Sequence, residues 1–219
     1  SITTNAAGAT TLTASVTTSG AQTYNDALTL AGDITATSTA SGVITFAGTV
    51  DADAPGARSL NVSSGGNKVF SAAVGASNAL SSLTVNAGGT TTLSADVTTI
   101  GAQAYGNAVS IAGNVNAVST GAGGISFTGA VNGSPAATNA LVVNTAGATL
   151  FGSTIGATNS LASLTTDAPG STTLTGNVTT SGDQTLNDAV TLAGSITAAS
   201  SGNQTITFGG SVDGDAAGT

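Results

Sequence analysis

The stretch GAQTYNDALTLAG, residues 20–32, decides the fold. It returns as GAQAYGNAVSIAG at residues 101–113 and as GDQTLNDAVTLAG at residues 182–194. The starts at Gly20, Gly101 and Gly182 are evenly spaced. Self-similarity at a fixed period marks solenoids and arrays, in which each unit buries its apolar surface against the next. A chain of near-copies seldom builds one unique active site, so the repeat speaks first to architecture. We read residues 1–219 as one continuous body, with units at about 1–81 and 82–162 and an incomplete unit at 163–219.

Working outward, each unit holds four copies of a nine-residue pattern, x-[Thr/Ser]-[Leu/Ile/Phe]-x-[Gly/Ala]-x-[Val/Ile]-x-x. TTLTASVTT (10–18), LTLAGDITA (28–36), ITFAGTVDA (44–52) and KVFSAAVGA (68–76) form the first set, and the later units repeat it. The intervals between copies are unequal within a unit, but the second unit reproduces them from Thr91 onward. Large apolar residues at positions three and seven, with a tiny one at five, follow the period of two that belongs to strands. Position three reads Leu12, Leu30, Phe46, Phe70, Leu93, Ile111, Phe127, Phe151, Leu174, Leu192 and Phe208, and so takes all five phenylalanines. Position seven reads Val16, Ile34, Val50, Val74, Val97, Val115, Val131, Ile155, Val178, Ile196 and Val212. Both columns are expected to point into a dry axis, where like residues stack on like. The small residue at five (Gly48 and Gly113, for instance) should point inward too, kept small because a larger one would overfill the core.

These patterns predict an all-β parallel β-helix, or β-solenoid, of about 11 turns, with four turns to each 81-residue repeat. SLNV (59–62), SLTV (82–85) and ALVV (140–143) supply further strands in the longer turns, and Gly65–Gly66, Gly88–Gly89 and Gly123–Gly124 suit corners. Tandem Ig-like sandwiches are the competing architecture, since a unit of this length is near their size. Against them, no linker separates the units, and a sandwich does not repeat one nonapeptide four times over.

Composition narrows function. Charged residues make up 5% of the chain, and the net charge is –8, from ten Asp against Lys68 and Arg58. Acidity without a basic patch argues against nucleic acid or an anionic membrane as partner. There is no His, Cys or Glu for the usual triads and general bases, so an enzyme is not expected, nor a cofactor. No apolar run is long enough to span a bilayer as a helix. The chain opens and closes inside a repeat, and we expect it to be a segment of something longer.

Candidate sites are few. Asp51 and Asp53 form a D-x-D that Asp213 and Asp215 repeat, where the middle unit has Asn132 and Ser134. These carboxylates are the candidate metal ligands, although calcium prefers six to eight oxygens. Arg58 and Lys68 read as local surface variation, since their repeat equivalents are Asn139 and Thr149. Position two is Thr or Ser in nine of eleven copies, among them Thr11, Thr29, Thr45 and Thr92, an outward hydroxyl column of the sort an ice-binding solenoid would use. Tyr24 and Tyr105, beside Asn25–Asp26 and Asn107 at one corner, are candidates for gripping a glycan, although Leu186 breaks that column.

The runs GAQTYNDALTLAG, ITFAGTVDA, SSLTVNAGGTTTL (81–93) and TTSGDQTLNDAVTLAG (179–194) resemble the repeats of filamentous-haemagglutinin-like adhesins, exported by two-partner secretion, and of related autotransporter passengers. The resemblance covers essentially the whole chain. It implies a right-handed β-helix at a Gram-negative bacterial cell surface or beyond it, serving adhesion, cell–cell contact or biofilm, and it carries over no functional residue. The expected function is therefore a stalk or fibre segment of a large extracellular protein. Its partners would be flanking repeats of the same protein or identical subunits end to end, with surface glycans or other cells at a distance. The alternatives are a self-assembling filament or surface-layer subunit, and a glycan- or ice-binding module.

Overall fold

The computed structural model describes residues 1–86 and 88–215. It is a parallel β-solenoid without helix among the described residues, and every strand pairing in it is parallel. Alternation sets the inside and outside of each turn. Along Gln22–Tyr24, Ala27–Leu30 and Ile34–Ser38 the residues at 22, 24, 28, 30, 34, 36 and 38 are buried, while those between them are wholly or partly exposed. Three such strands, bent at two tight corners, make one triangular turn.

Stacking these turns gives three sheets, one on each face of the prism. On the first face Gln22 pairs with Ile44, then Lys68, Thr91, Val109 and Val131. The second face begins with Ala9–Leu12 on Ala27–Leu30 and ends with Gln184–Leu186 on Ile206–Phe208. The third is a single ten-stranded sheet from Val16–Thr18 to Val212–Gly214. The first and second faces each have one place where a strand shrinks to isolated bridges, Val131–Ile155–Val178 and Val50–Val74–Val97. Counted this way the rod has ten turns, close to the eleven expected. At about 4.8 Å per turn it is roughly 50 Å long.

The repeat does not divide evenly into turns. Gln22 lies on the first face, its equivalent Gln103 on the third and Gln184 on the second. One 81-residue unit therefore spans eleven strand positions at three per turn, or three and two-thirds turns, a little under the four expected. The reason is that a nonapeptide marks a corner between two strands, not the start of a turn. The Gln-x-Tyr segments at 22–24 and 103–105, whose tyrosines were placed above beside a corner, are strands, and each forms one whole side of a turn.

This phase changes which residues meet. Leu12 stacks on Leu30 and then Ala52, while Phe46 sits between Tyr24 and Phe70. Two three-ring ladders result, Tyr24–Phe46–Phe70 and Tyr105–Phe127–Phe151, with centroids 4.9–5.3 Å apart and planes within 14°. Stacking adds about 0.5–1.5 kcal/mol per pair beyond burial. Of the position-three column, Leu30 through Leu174 are buried, Leu12 and Leu192 partly so, and Phe208 is exposed. Position seven behaves alike: Ile34 through Val178 are buried, Val16 and Ile196 partly, and Val212 is exposed. The less buried members lie in the turns at either end, which have a neighbour on one side or a thin one.

Position five is small for a different reason from the one expected. It lies at the bend, partly exposed, not in the core. A β-carbon on Gly48 would stand 2.1 Å from the Asp26 carbonyl oxygen, and one on Gly113 2.1 Å from that of Ser94. The obstacle is the backbone of the preceding turn, one strand spacing away along the axis.

Candidate functional site

The carboxylates resolve by position. Asp33 Oδ1 accepts the Ser59 backbone N–H at 2.9 Å, and Asp96 Oδ1 accepts that of Asn116 at 2.8 Å. Asn114 and Asn177 do the same for Ala140 and Thr197. Asx at nonapeptide position six is thus a clasp on the backbone N–H that lies opposite it in the next turn. Asp51 Oδ1 accepts the N–H groups of Ser77 and Asn78, holding the loop that follows Gly75, as Asn132 does for Thr158 and Asn159. Asp53 is engaged by Arg58, whose Nε and Nη2 each donate to one carboxylate oxygen at 2.8 Å. That guanidinium holds the Asp53 carboxyl below its ordinary value. Asp213 and Asp215 are exposed in the last turn. Among the described residues no group of three or more acidic, His or Cys side chains comes together to hold a metal. The first D-x-D pair is committed to the loop and to Arg58.

Lys68 overturns the reading of it as surface variation. It is fully buried, and Nζ donates to the backbone carbonyls of Ser64, Gly88 and, at 3.2 Å, Asn86. Burial pulls its pKa down. An ammonium has three donors, and all three find oxygens here, which is what allows so costly a group inside. The sequence signal was its place: Lys68 begins a nonapeptide, in register with inward-facing Ile44 and Thr91.

Tyr24 and Tyr105 are also buried, so they offer no ring face to a glycan. Each hydroxyl donates to a buried glutamine, Tyr24 to Gln22 Oε1 at 2.9 Å and Tyr105 to Gln103 Oε1 at 3.0 Å. Gln103 Nε2 in turn donates to the carbonyls of Val97 and Val118. Burial pushes the Tyr24 hydroxyl up to about 12. In the third repeat Leu186 replaces the tyrosine, and Gln184 Oε1 has no partner among the described residues. The glutamines went unread because a polar residue in a strand is normally assigned outward. Gln-x-Tyr at a spacing of two was the available clue.

The hydroxyl column does face outward, but the two-thirds turn spreads it over three faces. On the first face Thr23, Thr45, Thr92 and Ser110 are interrupted by Val69. On the third, Ser126 and Thr173 are separated by Leu150.

The remaining polar feature is a corner that recurs once per repeat. Thr91 Oγ1 donates to Asn107 Oδ1 at 2.8 Å, and Asn107 Nδ2 donates to the carbonyls of Gly88 and Gly89. In the third repeat Thr172 donates to Asp188 Oδ2 at 2.7 Å, and in the first Thr10 donates to Asp26 Oδ2 at 2.8 Å. Aspartate thus stands where asparagine donates, and among the described residues Asp26 Oδ1 and Asp188 Oδ1 have no hydrogen-bond partner. Burial raises the Asp188 pKa, and the charge of Asp167 adds to this. The Thr172 hydroxyl pulls the other way, as does the nearby Thr166 hydroxyl, which falls outside hydrogen-bonding geometry.

Fold and surface together define a repeat β-solenoid whose polar chemistry is turned inward, into corners and core. Compared with known protein families, curated proteins and solved structures, the chain matches none.

Proposed function

We propose that this chain is a rigid spacer, a stalk or fibre segment of a large extracellular, adhesin-like surface protein. One observation carries the reading: a single ten-stranded sheet runs through all three repeats, over a core filled by aromatic and aliphatic ladders. Such a body resists bending and stretching because any deformation must break parallel strand pairing all along one face. The sequence resemblance to filamentous-haemagglutinin-like repeats supports the extracellular setting. Electron microscopy of the native material tests it. Thin fibres much longer than the roughly 50 Å of ten strand spacings are expected. Short discrete rods would overturn it.

Glycan or ice binding has no comparable support, because Tyr24 and Tyr105 are buried and the hydroxyl columns are interrupted.

A further inference from the structure

The junction of the second and third repeats differs from that of the first and second by a coupled exchange of charge. Lys68 and Asn107 in the earlier copy become Thr149 and Asp188 in the later one. Both pairs sit at the same inner corner. Lys68 Nζ and Asn107 Nδ2 even share an acceptor, the Gly88 carbonyl. At these two positions a cation and an amide give way to a hydroxyl and a carboxyl, and Asn86 beside them becomes Asp167, whose Oδ1 is taken up by the Thr145 N–H at 2.9 Å.

The later corner is left with oxygens that nothing satisfies. Thr149 Oγ1, Thr166 Oγ1 and Asp188 Oδ1 are all buried without a hydrogen-bond partner among the described residues, and the three residues are at most 2% exposed. They are three of the five such atoms in the chain's described part. The Thr145 carbonyl, equivalent to the Ser64 carbonyl that Lys68 grips, belongs to the same place. A β-carbon on Gly170 would lie 2.7 Å from that oxygen and 2.9 Å from both Asp188 Oδ1 and the Gly147 carbonyl oxygen. Three oxygens, one of them a carboxylate's, thus close on the space beside a glycine. A buried carboxylate facing carbonyls is unfavourable unless something positive lies between them.

We propose that this corner binds one alkali-metal cation, held by Asp188 Oδ1 and the carbonyls of Thr145 and Gly147, with the Thr149 hydroxyl free to turn its oxygen toward it. The bound ion does at the second junction what the Lys68 ammonium does at the first. A single charge matches the single carboxylate that points there. Hard oxygen donors without nitrogen or sulfur suit an alkali ion and not a transition metal.

The test is thermal unfolding of the whole chain at constant ionic strength, with choline chloride replaced stepwise by sodium or potassium chloride. Once the ion exceeds its dissociation constant, each tenfold increase is expected to raise the midpoint by roughly 3–5 °C. Asp188→Asn, which installs the Asn107 arrangement, should fold and lose that dependence. The double variant Thr149→Lys/Asp188→Asn, which restores the Lys68 and Asn107 side chains of the first junction, should lose it as well. A midpoint equal in choline, sodium and potassium would overturn the proposal in favour of water or a proton on Asp188. A rise with calcium alone would replace the alkali ion by a divalent one shared with Asp167. A full sodium or potassium effect surviving in Asp188→Asn would place the ion elsewhere.

Discussion

Gln184 is the residue at which the repeats disagree most plainly. Its two equivalents receive a tyrosine hydroxyl, and it receives nothing from the described residues, because Leu186 has no donor. Leu186→Tyr should supply the missing bond and a ring beneath Phe208, which pairs with it in register. We expect a gain of about 1 kcal/mol from the hydrogen bond, read as a shift in the urea midpoint. A loss instead would mean that the core has narrowed around leucine. Deeper in the rod, Phe127 is packed between Tyr105 and Phe151. Phe127→Ala should cost about 3–5 kcal/mol, and Phe127→Asp should prevent folding. Arg58→Ala should barely move the urea midpoint, since its pair with Asp53 is a third exposed on each side and screened by solvent. Equal urea midpoints for Phe127→Ala and Arg58→Ala would refute the assignment of inside and outside.

Corners and strands were unequally legible. Strand content, parallel stacking and the two apolar columns follow from a period of two repeated at a fixed interval, and those residues are where burial puts them. The phase of the turns was hidden, because eleven strand positions per repeat are not a multiple of three and no single residue announces a face. Lys68 and the glutamines were hidden for another reason. Their burial depends on backbone carbonyls gathered at corners of the same and the adjoining turn, which leave no mark in sequence. Corners also hold conformations that side chains disfavour: Ser41, Ala122 and Asn203, at equivalent positions of the three repeats, have φ of 59°, 60° and 55°. The left-handed region costs a non-glycine residue about 1–2 kcal/mol, against about 0.4–1 kcal/mol for the freer unfolded chain that glycine brings. Ala122→Gly should therefore be stabilising by a few tenths to about 1 kcal/mol in denaturant titration.

At the scale of the whole molecule, acid should act in two directions. The Asp33 carboxyl is held below its ordinary value by its bond from Ser59, and that of Asp53 by Arg58. What such groups contribute is present above the unfolded value near 3.9 and is lost as pH falls through their folded values. Asp188 is raised, so it has the opposite sign. Its favourable term is complete below the unfolded value and disappears as pH rises through the folded one. With choline as the only cation, the melting temperature should fall on going from pH 7 to pH 2.5. It should fall further in Asp188→Asn, which loses the clasps without the compensating relief. A parallel decline in both proteins would show that Asp188 is ionised at no cost.

The two-thirds turn left over in every repeat has a mechanical meaning. The loop that follows Gly75 interrupts the second face, and its copy following Gly156 interrupts the first. A defect fixed on one side would make a long rod arc toward that side. Here the soft spot steps around the axis by one face per repeat and comes back to its starting side only after eleven turns. Its bending tendencies cancel over that distance, and an extended array of these units should run straight, equally stiff in every direction.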